Sequence, residues 1–198
     1  LVARVRKQLT QAMGGLKIKV GHAGTLDPLA TGVMVICTGR ATKQIDRLQV
    51  GVKEYVATLK FGATTPSFDL EHPEDAHYPY EHITQGMLEE ALREFLGTTL
   101  QVPPIFSAVS VGGKRAYDLA RKGKDCQLEG KPITIHELEV VSFEPPYATL
   151  RISCGKGTYI RSLARDLGER LQSGAYLTAL RRTQLGNVRV EDSLTLAE

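Results

Sequence analysis

The sequence predicts an α+β fold, and three observations carry that prediction. Residues 54–61 alternate, placing Tyr55, Ala57, Leu59 and Phe61 on one face of a half-buried strand. Two other stretches, 84–96 and 160–171, carry apolar residues at helical spacing. Strands and helices follow one another without the regular βαβ alternation of a parallel sheet, and there is no internal repeat.

In chain order, Val2, Val5 and Leu9 are spaced for an N-terminal helix, which Met13-Gly14-Gly15 ends. The run Gly21-His22-Ala23-Gly24-Thr25-Leu26-Asp27-Pro28-Leu29-Ala30-Thr31-Gly32 follows. Its glycines and small residues disfavour a helix, and Pro28 stiffens it, so it reads as a rigid loop presenting one acid. An apolar strand at 33–37 comes next, then a short helix at 41–48, then the alternating strand. Residues 62–83 read as loop, rich in Pro, His and acids. Thr84 opens a helix with Met87, Leu88, Ala91, Leu92 and Phe95 on one side, and Gly97 stops it. Pro103-Pro104 breaks the chain before a strand-like 107–111. Residues 112–132 hold four glycines and six Lys/Arg around one short helical piece at 116–121. Loops of that length are uncommon unless functional. A hairpin, 133–143 and 147–154, turns through Pro145-Pro146. Gly157 leads into a helix with Ile160, Leu163, Ala164, Leu167 and Leu171 inward. A last helix at 176–181 and a strand at 186–190 close the chain.

At 198 residues, with 42% hydrophobic and 24% charged content, the chain suits one large domain with a substantial core. No apolar run approaches the roughly 18 residues of a membrane span, so no membrane partner is expected. The first residues lack the apolar stretch of a signal peptide and do not begin with Met, so the chain reads as a fragment. Three scattered cysteines, Cys37, Cys126 and Cys154, form no CxxC pair and no disulfide framework. They point to a reducing, cytoplasmic setting and away from a zinc site. His72, His77 and His82 are five apart, matching neither strand nor helix, and no metal is expected. Charge is segregated: 1–60 carries +7, 71–94 carries −6 and 151–182 carries +5. That pattern suits one basic face for a polyanion, or charge simply scattered into solvent.

Asp27 is the first candidate for chemistry. Asp-Pro is a common turn start, and turn statistics alone favour that role. As a nucleophile or general base it would need a cationic partner to stay ionised in a closed site. Gly155-Lys156-Gly157-Thr158-Tyr159-Ile160-Arg161 supplies a candidate, with Thr158 as helix N-cap and Arg161 in the first turn. Pattern alone pairs Arg161 instead with Asp166 or Glu169. The segment is no phosphate loop, because Gly157 stands where Ser or Thr must follow the lysine. Tyr55 is by spacing a core residue, and by chemistry a platform for an extruded base. His22 either contacts RNA or caps the loop.

The run from Gly21 to Gly32 resembles the signature of the TruB family of tRNA pseudouridine synthases. Gly39-Arg40-Ala41-Thr42-Lys43, Lys53-Glu54-Tyr55, Pro103-Pro104-Ile105-Phe106-Ser107-Ala108, Lys156-Gly157-Thr158-Tyr159-Ile160-Arg161 and Leu180-Arg181-Arg182 agree in order and approximate spacing. Guide-RNA-dependent synthases share the GxLDP core but usually diverge from the Leu29-Ala30-Thr31-Gly32 continuation.

The resemblance implies a pseudouridine synthase-like α+β domain over 1–198, with a mixed, mostly antiparallel central sheet flanked by helices. It implies conversion of uridine to pseudouridine at position 55 in the T-loop of tRNA, with no cofactor. Asp27 matches the catalytic aspartate, Tyr55 the tyrosine that stacks on the target base, and Arg161 the arginine that pairs with the aspartate. Tyr159 and Leu180 match pocket residues, and His22 and Lys43 match residues near the RNA. The loop at about 112–132 resembles a basic thumb that grips the T-arm stem-loop. An N-terminal strand with a Lys-Pro motif is missing before Leu1, and a PUA-like RNA-binding domain is absent or truncated after Glu198. A monomer with no obligate protein partner is expected. Two alternatives stand beside this reading: a non-catalytic tRNA-binding or folding module, and a guide-RNA-dependent synthase.

Overall fold

The computed structural model describes residues 1–107, 110–111, 114–115 and 128–195. Its first helix, α1 (Val2–Ala12), lies beside β1 (Val20–Ala23), where Arg6 donates to the Val20 carbonyl at 3.2 Å. β1 runs into the loop that carries Asp27. There the Ala30 N–H donates to the Asp27 carbonyl at 3.0 Å, closing the turn that Asp-Pro favours. The chain returns through β2 (Thr31–Gly32) and β3 (Val35–Thr38), and β3 pairs antiparallel with β1, Ala23 opposite Val35. One ladder therefore fixes both ends of the loop. The short helix expected at 41–48 is two pieces, a 3-10 turn over Gly39–Gln44 and the four-residue α2 (Ile45–Leu48).

β4 (Lys53–Phe61) alternates as its sequence predicts, with Tyr55, Ala57, Leu59 and Phe61 buried. Residues 62–83 are loop apart from two short paired strands, β5 (Ala63–Thr64) and β6 (Ala76–His77). α3 (Gln85–Glu94) is capped by Thr84, whose Oγ1 accepts the Met87 N–H at 3.2 Å. Leu88, Ala91 and Leu92 are buried, whereas Met87 is exposed. Gly97 both stops this helix and opens β7 (Gly97–Gln101), an edge strand without an alternating apolar face. β8 (Ser110–Val111) and β9 (Lys114–Arg115) pair with each other. The helical piece expected at 116–121, and most of the expected thumb, lie outside the described residues.

β10 (Lys131–Glu144) and β11 (Tyr147–Cys154) form the expected hairpin. α4 (Ile160–Arg170) buries Ile160, Leu163, Ala164 and Leu167. Its N-cap is Tyr159, not Thr158, whose Oγ1 instead donates to the Gly155 carbonyl at 3.2 Å. The segment 176–181 is not a helix. It belongs to β12 (Ala175–Leu185), which Gly186 turns into β13 (Val188–Arg189). The error has a physical source. β12 shifts register between Leu177 and Ala179, so Leu177 and Leu180, three apart as on a helix, line the same cleft.

The main sheet has seven strands, ordered β13-β12-β4-β11-β10-β7 with β2 added on β12. Only the β2–β12 pairing is parallel. The sheet is thus mixed and mostly antiparallel, as expected. α3 and α4 cover the face presented by Tyr55, Ala57, Leu59, Phe61, Ile135, Leu150 and Ile152. Burying each large side chain there stabilises by about 1.5–3 kcal/mol. A smaller cluster, Ala23, Val33 and Leu185, packs where the Asp27 loop leaves β1 and enters β3. Cys37 and Cys154 are buried and free, the small-core role expected of them. Among the described residues no helix is long and apolar enough to cross a membrane.

Candidate active site

Asp27 and Arg161, 134 residues apart, meet in a two-pronged ion pair. Arg161 Nε donates to Asp27 Oδ2 and Nη2 to Oδ1, both at 3.0 Å. Arg161 is only 4% exposed, because α4 packs flat on the sheet and turns its first residues inward. Its remaining donors reach the Ser67 carbonyl at 3.2 Å and the Phe106 carbonyl at 3.0 Å. This fork geometry gives both strength and a fixed orientation. Of the alternative partners, Asp166 pairs with Arg165 instead.

A second carboxylate faces the same guanidinium. Asp69 Oδ2 lies 3.8 Å from Arg161 Nε, and Asp69 is buried. Its Oδ1 accepts the Ser67 hydroxyl at 2.6 Å and the Glu71 N–H at 2.9 Å. The preceding residue, Phe68, adopts φ 60, a conformation rare outside glycine. It is held there by its carbonyl, which accepts the Leu177 N–H at 2.9 Å, and by Arg165 over its ring. Arg161 therefore keeps three anchors when Asp27 engages another group. Asp69 had no sequence signal beyond its place in an acidic loop.

The pair opens into a cleft lined by Asp27, Leu29, Ala30, Leu70, Leu177 and Leu180 among others, and open to solvent. The structure thus brings Asp27, Arg161 and Leu180 together. Tyr159 sits beside them at the start of α4, its backbone held by Gln101: its N–H donates to Oε1 at 2.8 Å and its carbonyl accepts from Nε2 at 3.1 Å. Burial raises the Tyr159 phenol above its ordinary pKa, against Ser107 and Arg161 and with Asp27. Gln101 was missed because an edge strand without apolar alternation gives no signal.

Tyr55 is 7% exposed and lies on the core face, with Leu26 and Leu180 packed on the same cluster. Burial pushes its phenol up to about 12, with Cys154 and Asp27 assisting and Arg182 opposing. Its spacing-based reading as a core residue is therefore met, at the point where the core reaches the Asp27 loop. Neither Tyr55 nor Tyr159 belongs to the cleft lining, and His22 and Lys43 are not brought into it either. His22 is half-buried on β1 opposite Ile36, its Nδ1 buried with no hydrogen-bond partner among the described residues. Lys43 is exposed on the 3-10 turn. Among the described residues no group of three or more His, Cys, Asp or Glu is placed to hold a metal ion.

Residues 7–160 match the family model for the TruB family pseudouridylate synthase N-terminal domain, and 161–198 match that for the tRNA pseudouridylate synthase B C-terminal domain. The ion pair thus joins the two matched regions. Fold and match together define an enzyme of the isomerase class, a pseudouridylate synthase. More particularly, the chain belongs to the TruB family. It is 58% identical over 196 residues to tRNA pseudouridine synthase B of Phocaeicola vulgatus, covering 99% of this chain and 83% of that protein. It is also 58% identical to tRNA pseudouridine synthase B of Bacteroides thetaiotaomicron, covering 98% of this chain and 82% of that protein. Among solved structures, a Cbf5-Nop10-Gar1 complex contains a chain with a TM-score of 0.70 and 27% identity. The match covers 98% of this chain and 48% of that one, so the chain spans about half the length of that neighbour. An H/ACA RNP bound to a substrate RNA containing 2'-deoxyuridine shares the fold, at a TM-score of 0.67 and 24% identity.

Proposed function

We propose that this enzyme converts uridine 55 in the T-loop of tRNA to pseudouridine, with Asp27 as nucleophile. The observation that carries the reading is the two-pronged Asp27–Arg161 pair at a cleft open to solvent. The isomerisation breaks the N1–C1′ bond, turns the base and forms a C5–C1′ bond. The C5 proton leaves and N1 gains one, so the reaction needs no redox partner or group donor. A carboxylate held in a fixed orientation by a buried arginine suits such covalent chemistry, and it can also move the proton.

The target base must first leave its stack, at a cost of a few kcal/mol. Tyr55 stacking on the base, with Tyr159 and Leu180 walling the pocket, offsets that cost. His22 and Lys43, outside the cleft lining, meet the flanking RNA. The basic thumb at about 112–132 grips the T-arm. Turnover of a bare T-arm stem-loop by purified protein, without guide RNA or protein partner, distinguishes this reading from a guide-dependent synthase.

The direct test is Asp27→Asn. It removes the nucleophile but keeps the size and hydrogen-bonding shape of the side chain. It is expected to retain the melting temperature and tRNA binding while abolishing tritium release from uracil-C5-labelled tRNA. Retained turnover would sink the reading and leave a tRNA-binding module in its place.

A further inference from the structure

We propose that Arg182 is a positioning residue that holds the Asp27 loop through one guanidinium. The proposal rests on the role assigned to Asp27 above.

Arg182 is the largest fully buried side chain, at 0% exposure. Its Nε donates to the Val33 carbonyl at 2.9 Å, Nη2 to the Gly24 carbonyl at 3.2 Å and Nη1 to the Thr25 carbonyl at 3.4 Å. These acceptors stand on both sides of Asp27. The Arg182 backbone adds a fourth tie, since its carbonyl accepts the Val33 N–H at 2.9 Å. On its strand Arg182 stands opposite Tyr55 of β4 and opposite Gly32 of β2.

The glycines that bracket Asp27 are fitted to this one residue. Gly24, at φ 78, would place a Cβ 3.2 Å from Arg182 Nη1. Gly32, at φ 103, would place one 2.0 Å from the Arg182 carbonyl oxygen. The loop backbone comes this close because neither position carries a side chain.

Among the described residues the guanidinium donates to carbonyls and forms no ion pair with a carboxylate. Burying a cation is costly, and an apolar side chain of similar size often packs at least as well. Stability alone therefore gives little reason for an arginine here. What a hydrophobe or a lysine lacks is the planar fork, with donors at fixed angles to three carbonyls. That fork sets the height and tilt of the loop from which Asp27 reaches Arg161.

The test uses Arg182→Lys, Arg182→Ala and Gly24→Ala, with the unaltered protein and Asp27→Asn as references. The readouts are single-turnover tritium release, tRNA affinity, melting temperature and amide hydrogen exchange. Each variant is expected to lose about 10²-fold in rate, the effect of roughly 1 Å of misplacement, with tRNA affinity unchanged. Exchange at 24–31 should rise while the amides of α4 keep their protection. Methylguanidinium, and not methylammonium, should restore part of the Arg182→Ala rate. A wild-type rate in Arg182→Lys, or unchanged exchange at 24–31, overturns the proposal. Loss of protection throughout α4 also overturns it, by making Arg182 a general fold anchor. Should both Arg182 variants fail to fold, Gly24→Ala decides: an unchanged rate in that folded variant overturns the proposal. If Asp27→Asn itself turns over, the nucleophile reading fails, and the exchange at 24–31 still decides what Arg182 holds.

Discussion

Arg161 spends four hydrogen bonds on three different segments of chain, and both oxygens of Asp27 take one each. A lysine at that position keeps the charge but cannot serve two carboxylate oxygens and two carbonyls at once. Arg161→Lys is therefore expected to fold and bind tRNA, yet lose about 10²-fold in single-turnover rate as Asp27 drifts from its aligned position. A rate close to the original would show that charge alone suffices. The participants at this scale were unequally legible. Asp27 stood out because a lone acid in a stiff, small-residue loop is chemically conspicuous. Asp69 and Arg182 did not, since an acid in an acidic loop and one arginine of an Arg-Arg pair look like solvated surface until burial is known.

β12 shows how an element acquires its role from its neighbours. Leu177 and Leu180 carry helical spacing, but β4 offers a ladder along 53–61, and a register shift puts both leucines at the cleft. The same strands build a polar network on the sheet face away from α4. Arg151 pairs with Glu54 at 3.0 Å and with Glu139 at 2.8 Å, and the Thr183 hydroxyl donates to Glu54 at 2.7 Å. The Thr183 bond, with Arg151 assisting against partial burial, holds the Glu54 carboxyl below the usual 4.5. A depressed carboxyl pKa contributes stability that is present above 4.5 and is lost as pH falls through the folded value. Glu54→Gln should lower the melting temperature at neutral pH, and the difference should vanish in acid. An equal difference across the whole range, followed by thermal melts, would show that shape rather than charge holds the ladder together. Helix α4 was legible from its inward apolar side chains, whereas β7 was not, because an exposed edge strand carries no alternation.

Across the whole molecule, charge is segregated along the chain, with basic segments at 1–60 and 151–182 and an acidic one at 71–94. A polyanionic substrate makes binding salt-dependent, with a slope set by the number of phosphates neutralised. Lys43 is exposed, so Lys43→Ala should weaken tRNA binding and reduce the salt slope by about one, leaving single-turnover rate at saturation unchanged. An unaltered slope would remove Lys43 from the RNA face. The sequence by itself determined the fold class, the alternating central strand, the helices α1, α3 and α4 and the loop that presents Asp27. Those features rest on local periodicity and turn chemistry, which a linear reading captures. Spacing alone offered Arg161 to Asp166, the family resemblance offered it to Asp27, and the tertiary structure joins it to Asp27. Only the tertiary structure turned 176–181 into a strand and buried Arg182 beneath the loop. Each of those outcomes depends on groups far apart in the chain, whose pairing is settled by burial and hydrogen-bond satisfaction once the sheet and helices have packed.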